Sequence, residues 1–388
     1  MSGAQPPPAR RAPRIRAPRI DVRRVGLALA APLLAVLVAF VVTTIILVVA
    51  KDPVGAVWSQ LFKAPLPRQI VAIVNAATVF YLSAIAVAIG FRMNLFNIGV
   101  DGQYRVAAFA AAVFAGQGWL PGWLNILAAL VVAMLAGGLW AGIAGLLKVG
   151  RGVSEVISTI MLNSIATFLV SFLLSRVAVR VEGSNAVNTK PLAEGSRVPG
   201  ISVDGLIATP SKVYGLVFLA VVVGILNWFV LARTRFGFDL RATGRSETAA
   251  VASGVKVKRM VLTSMAISGG AAGLVGMPLL FGQDYAYGDT FQSGLGFAGI
   301  AIALLGRNNP IGIGFAALLW AYLDAQGNGL QINAGVSDRL VLVIQGVIVL
   351  SVVIAYELVR RAGIRMEQRR VASQLAARPV PATEGSPA

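Results

Sequence analysis

The sequence predicts an all-α, polytopic membrane protein of about ten transmembrane helices, some short or broken, with both termini in the cytoplasm. Three observations predict it. First, the 388 residues are 57% hydrophobic and only 13% charged, against roughly 25% charged in a soluble domain. A chain this long and this apolar cannot cover a water-facing surface with polar groups, so lipid is its solvent. Second, the apolar residues fall into runs of spanning length. Third, the basic residues divide unequally between the two sides that those runs define.

A spanning helix needs about 20 mostly apolar residues. Candidate spans are 27–50, 69–90, 104–118, 123–147, 153–175, 213–232, 261–282, 294–306, 311–326 and 339–359. The first is too long for a signal-peptide core, and no small-residue cleavage site follows it, so it reads as a retained helix. The segments 104–118, 294–306 and 311–326 are short and read as half-helices or as helices enclosed by the bundle, where irregular backbone is tolerated.

Ten spans place both chain ends on one side. That side carries 25 of the 34 Lys and Arg residues, and the other carries nine. Cytoplasmic segments are the basic ones, so both termini are assigned to the cytoplasm. Residues 1–26 read as a disordered basic tail, 27–360 as the transmembrane domain and 361–388 as a cytoplasmic tail. Two longer polar segments interrupt the bundle. Residues 176–212 lie outside the cell and are long enough for a small ordered cap, and 233–260 lie inside.

Composition also excludes. With no Cys and no His, the chain has no disulfide, no thiolate or imidazole metal ligand, no Cys nucleophile and no His base. No Gly-x-x-x-x-Gly-Lys-Ser/Thr loop occurs, so the chain does not itself cradle nucleotide phosphates. The formal charge of +18 is concentrated in tails and short loops and marks topology, not nucleic-acid binding. No acidic pair is clustered for chemistry, and few acids fall in mid-span for an ion relay. An enzyme and an ion-coupled carrier therefore rank below a permease driven from outside the chain.

Within the 91–103 segment, Gly99 and Gly102 free backbone groups while Asn94, Asn97, Asp101 and Gln103 supply polar partners. It reads equally as a broken helix lining a solute path or as a cytoplasmic turn. Asn75 and Asn163 are further polar groups inside spans, placed for interhelical hydrogen bonds or for a pathway. Glu155, beside Arg151, is as well explained by a helix N-terminus as by function. In the 233–260 loop, Gly244, Glu247, Ala249, Ala250 and Gly254 mark a short helix of small residues after a Ser246 start signal. Flanked by positive charge at the membrane surface, it suits a partner's groove better than it suits a mere connection. Gly138-x-x-x-Gly142 and Gly269-x-x-x-Gly273 predict close helix packing. Trp119, Trp123, Tyr285, Tyr287 and Phe291 read as an outer interfacial belt.

Four runs in order resemble one family: FNIGVDGQ at 96–103, GVSEVISTIMLNSIA at 152–166, LRATGRSETAAVASGVKV at 240–257 and QDYAYGDTFQSGLGFAGIAIALLGRNNPIG at 283–312. They are similar to nucleoside-type permease subunits of bacterial ATP-binding-cassette importers, in the superfamily of ribose and branched-chain amino-acid permeases. Asp101 stands where many members carry Glu, and Glu247-Thr248-Ala249 stands where Glu-Ala-Ala is usual. The Arg-rich N-terminal extension lies outside the pattern.

The resemblance implies a multi-pass protein of the bacterial inner membrane with no cofactor of its own. ATP would be bound by a cytoplasmic ATPase subunit docked on 240–257. A second permease chain would complete the pore, with a heterodimer expected. An extracytoplasmic binding protein or lipoprotein would deliver the solute. Nucleosides are the expected cargo and simple sugars the nearest rival. Asn75, Asn97, Asp101, Gln103 and Asn163 are the expected pathway residues.

Overall fold

The computed structural model describes residues 22–180, 187–288, 291 and 293–376. Most of the expected N-terminal tail and the last part of the C-terminal tail lie outside these residues. The helices, in chain order, are α1 (Val22–Ala50), α2 (Val54–Leu61), α3 (Pro67–Phe91), α4 (Val100–Gln117), α5 (Gly122–Arg151), α6 (Glu155–Val177), α7 (Val217–Arg233), α8 (Arg235–Arg245), α9 (Glu247–Ala252), α10 (Val257–Gly273), α11 (Met277–Leu279), α12 (Leu295–Leu305), α13 (Pro310–Ala334) and α14 (Leu340–Ala376). Each of the ten expected apolar segments coincides with a helix. Among the described residues, six helical segments are long and apolar enough to cross a bilayer alone, and α7 with α8 forms a further pair bent by 71°. The remaining apolar segments are α4, α12 and α13, the three read as short.

The chain divides into two compact units, one made of the outer parts of α1 and α14, the other of Val42–Val349. In the first, α14 runs helically to Ala376, past the expected span end at 359. Hydropathy ends there but helix propensity does not, since 361–376 has no Pro. Glu357 also pairs with Arg360 and Arg361 at i,i+3 and i,i+4 spacing.

In the larger unit α3 is central. Residues Leu82–Ala88 are buried all round, as expected of a helix enclosed by neighbours. It packs on α7, α10, α12 and α13. The tightest pairing is α5 with α10. Gly269 and Gly273 meet Ala133, Gly137 and Ala141 so closely that no Cβ would fit. This corrects half of the expected ridge on α5: a Cβ at Gly138 would lie 3.0 Å from the Ala266 carbonyl of α10, but nothing stands within 4 Å of the position a Cβ would take at Gly142. Glycine spacing alone could not fix the register, because Ala133 and Ala141 complete the ridge as well as glycines would.

Residues 178–180 and 187–216 form the expected cap, with antiparallel pairs β1 (Val179–Arg180) to β2 (Val187–Asn188) and β3 (Ile201–Ser202) to β4 (Lys212–Val213). It does not simply lie on the bundle. Thr189 and Leu192, each 1% exposed, donate backbone hydrogen bonds to the Tyr287 and Tyr285 carbonyls at 2.8 Å, and Val198 donates to that of Phe281 at 2.9 Å. The partner stretch is a break in the helical path, where Leu280–Asp284 is a π-helical turn and Tyr285 has φ 53°. That break corrects part of the expected aromatic belt. Trp119 and Trp123 are exposed, but Tyr287 and Phe291 are buried, Tyr287 meeting Phe109 edge to face and Phe291 stacking on Tyr104.

Candidate functional site

Two regions gather the residues singled out from sequence. The first is the α3–α4 connection. Helix α3 ends at Phe91, and Asn94 (φ 55°) turns the chain back. The Arg92–Asn94 turn touches two other segments assigned to the cytoplasm: Asn94 donates to the Gly244 carbonyl at 2.8 Å and Arg92 to that of Asn308 at 2.7 Å. Burial, then the neighbouring Arg241, lowers the Arg92 pKa from its usual value. Residues 95–99 then return into the bundle without helical structure. Asn97 reaches Ser268, whose hydroxyl donates to the Ala86 carbonyl at 2.7 Å, more than one helical turn inside the end of α3. The segment is therefore a turn at its tip and a broken, re-entrant path beyond it.

Irregular backbone at this depth must find its hydrogen bonds inside the protein. The polar side chains supply them. Asn97 Oδ1 accepts from the Gly99 amide at 3.0 Å and from Gln103 Nε2 at 2.8 Å, while its Nδ2 donates to Gln103 Oε1 and Ser268 Oγ. Asn163, from α6, accepts from the Gly102 amide and donates to the Ile98 carbonyl, both at 2.9 Å. Gly102 is needed because a Cβ there would lie 2.9 Å from the Asn163 Cα.

Asp101 works on a second break. One oxygen accepts from the Gly294 and Gly296 amides at 2.8 and 3.4 Å, and the other pairs with Arg105 at 3.2 Å. Gly294 and Gly296 flank the start of α12, so the carboxylate satisfies the free amides and faces the positive end of that helix. Ser83 Oγ donates to the Leu295 carbonyl at 2.7 Å and fixes the same end to α3. Two helix starts, of α4 and α12, thus meet in the bundle interior around one buried ion pair.

Glu155 accepts from Lys148 at 2.6 Å and, at 3.5 Å, from the Phe96 amide, so it too holds the re-entrant path. Asn75 stands apart. It clasps the cap, donating to the Lys212 carbonyl at 3.1 Å and accepting from the Tyr214 amide at 2.8 Å. It lines a cavity of about 550 Å³ at the N-terminal end of α3, with Arg68, Lys212, Tyr214 and Gln283 among its walls. Tyr214 donates to Gln283 there at 2.5 Å, and burial, then Asp284, pushes its phenol pKa up to about 12. Sequence reasoning missed Tyr214, Gln283, Ser83 and Ser268, since single polar residues in apolar runs carry no spacing signal.

The second region is the α7–α9 elbow, in the loop assigned to the cytoplasm. Thr234 caps α8 through the Gly237 amide, and Ser246 caps α9 through the Ala249 amide at 3.3 Å. Gly244 packs against the backbone of Arg92 and Met93, and Gly254 (φ 83°) turns the chain out of α9. Ala250 is buried, whereas Glu247, Thr248, Ala249 and Val251 are exposed. A short helix is thereby held by its base, with its outer face uncovered.

A bundle with paired broken helices inside and a small helix presented on its basic side defines a polytopic transport protein. Comparison with known proteins agrees. The chain belongs to the family of permease components of branched-chain amino acid transport systems, whose profile matches residues 69–353. It is 33% identical to the guanosine ABC transporter permease protein NupP of Bacillus subtilis, over 84% of this chain and 94% of that one. It is 30% identical to the glucose ABC transporter permease protein TsgB13 of Haloferax volcanii, over 88% and 92%. It is 28% identical to the nucleoside ABC transporter permease protein NupB of Lactococcus lactis, over 84% and 90%. The chain is thus the multi-pass permease component of an ATP-binding-cassette system, which works with an ATPase and a binding protein.

Proposed function

We propose that this chain carries nucleosides into the cell by alternating access, powered by ATP bound to a partner subunit. The likeness to guanosine and nucleoside permeases over nearly the whole chain supports the cargo class. The glucose permease at 30% identity supports simple sugars as the second reading. The exposed α9 supports the docking role. On this reading Gly244 seats the elbow against the 92–94 turn, Glu247, Ala249 and Ala250 form the contact helix, and Gly254 lets the chain leave it. The partner chain is a second, non-identical permease, as the paired names NupP with NupQ and NupB with NupC suggest.

Closure of the ATPase pair would press on α9, and the Gly244–Asn94 contact would pass the motion to the α3–α4 break. Asn97, Asp101, Gln103 and Asn163 have their hydrogen bonds within the protein. Their proposed part in the pathway is therefore to hold the two broken helices that border it, while Asn75 shapes the outer cavity. Nucleotide can bias such a cycle only by binding the two states unequally.

The test is uptake of labelled guanosine, uridine and glucose into liposomes holding the complete transporter with ATP inside. Nucleoside uptake that requires ATP is expected. Glucose uptake with no nucleoside uptake would move the assignment to the second reading, and uptake that persists without ATP but stops with an uncoupler would refute the importer.

A further inference from the structure

A groove of about 610 Å³ runs along the larger unit between α3, α7 and α13, away from the broken helices. Its volume lies within the range of about 300–1,000 Å³ that accepts whole small ligands. Its walls are almost wholly apolar, among them Val74, Ala77, Val221, Ile225, Trp228 and Phe315. Two glycines make the space. Gly224 accommodates the Tyr81 hydroxyl, and Gly314 leaves the floor open, with only a Tyr81 ring carbon near a Cβ position, at 3.8 Å.

The groove has a polar end. Trp228 lines it, and the Arg233 guanidinium stacks over that ring at 5.6 Å. Arg233 is exposed, as is Arg235 just beyond. Here α7 bends by 71° into α8, on the side assigned to the cytoplasm. Trp and Arg at the end of a span mark the headgroup level of the bilayer. An apolar channel ending in positive charge at that level complements one kind of molecule: an apolar chain bearing an anionic head.

We propose that this groove binds an inner-leaflet anionic phospholipid, with one acyl chain along α3, α7 and α13 and its phosphate on Arg233. The acyl chain gains by close van der Waals packing against groove walls that fit it, and the head gains by charge. Each basic residue near an anionic lipid contributes about 1 kcal/mol, or about fivefold in affinity. The bound lipid would brace α7, the helix that continues through the elbow into α8 and α9.

The experiment is native mass spectrometry of the purified complete transporter, titrated with phosphatidylglycerol and with phosphatidylcholine of equal chain length. Wild type should retain phosphatidylglycerol about fivefold better. Arg233→Gln should abolish that preference yet still take up lipid. Gly314→Phe, which fills the floor, should lose the lipid altogether; Leu318→Trp, also on the groove wall, serves if that variant does not assemble. Equal retention of the two lipids by wild type would overturn the proposal. So would unchanged phosphatidylglycerol binding in a correctly assembled groove-filling variant. If a helix of the second permease occupies the groove instead, Gly314→Phe will split the permease pair without altering lipid retention, which also overturns it.

Discussion

Replacing Asn97 by Ala separates a residue that holds the fold from one that touches solute. Asn97 is fully buried and serves the Gly99 amide, both ends of the Gln103 amide and the Ser268 hydroxyl. Ser268 keeps its bond to Ala86, so truncation orphans three groups: the Gly99 N–H and the oxygen and nitrogen of Gln103. At about 1–3 kcal/mol for each buried unsatisfied group, and allowing for partial relaxation, the loss is about 3–6 kcal/mol. Reversible unfolding by SDS in mixed micelles reads that quantity. The double variant Asn97→Ala with Gln103→Leu removes two of the orphans, so it should cost less than the two single changes added together. Uptake per correctly folded molecule should keep its wild-type KM. Unchanged stability in Asn97→Ala together with a raised KM would refute the reasoning and return Asn97 to direct solute contact.

Asp101→Ala leaves Arg105, whose side chain is only 16% exposed, without its partner and the start of α12 uncapped, so it should destabilise by about 3–5 kcal/mol and reduce uptake through lower protein level, seen by comparing uptake with the amount in the membrane. Glu247→Arg should weaken co-purification of the ATPase by roughly tenfold or more, the equivalent of about 1.4 kcal/mol, while membrane insertion is unchanged; normal co-purification and transport would end the docking assignment. Gly142→Ala should be neutral or stabilising by up to about 1 kcal/mol, since nothing stands near its Cβ position, whereas Gly137→Ala should disrupt the α5–α10 contact and cost at least about 2 kcal/mol. Tyr214→Phe should raise KM severalfold with little change in kcat if the outer cavity receives solute before translocation, and equal KM would remove it from the path.

Much of this architecture was legible in sequence because one solvent imposes one rule: a helix facing lipid must be apolar for its whole length. The same rule hides the interior. The span containing α10 is 78% buried and α5 only 22%, yet both read as spans, because lipid and protein core both accept apolar residues. Hydropathy therefore found the helices but could not say that Tyr287 and Phe291 face inward, or which ridge of α5 meets Gly269. The polar group at 97–103 was visible as an exception to the rule. Its role was not, because the partners of Asn97 and Asp101 include Ser268 and the Gly294 and Gly296 amides, far away along the chain, and no local spacing signals them.

The strapping of the 189–198 stretch onto the break after α11 bears on how the protein can be handled. Connections between spans are ordinarily the places where tags and extra residues are tolerated, but here such an insertion would prise Thr189 and Leu192 out of the bundle. The β3–β4 turn is the safe alternative: Leu206 at its tip is 89% exposed. An epitope spliced in at 204–206 should leave the transporter assembled, and antibody labelling of it on intact cells would test the outside assignment of this segment, whereas the same epitope at 190–192 would yield a chain destined for proteolysis.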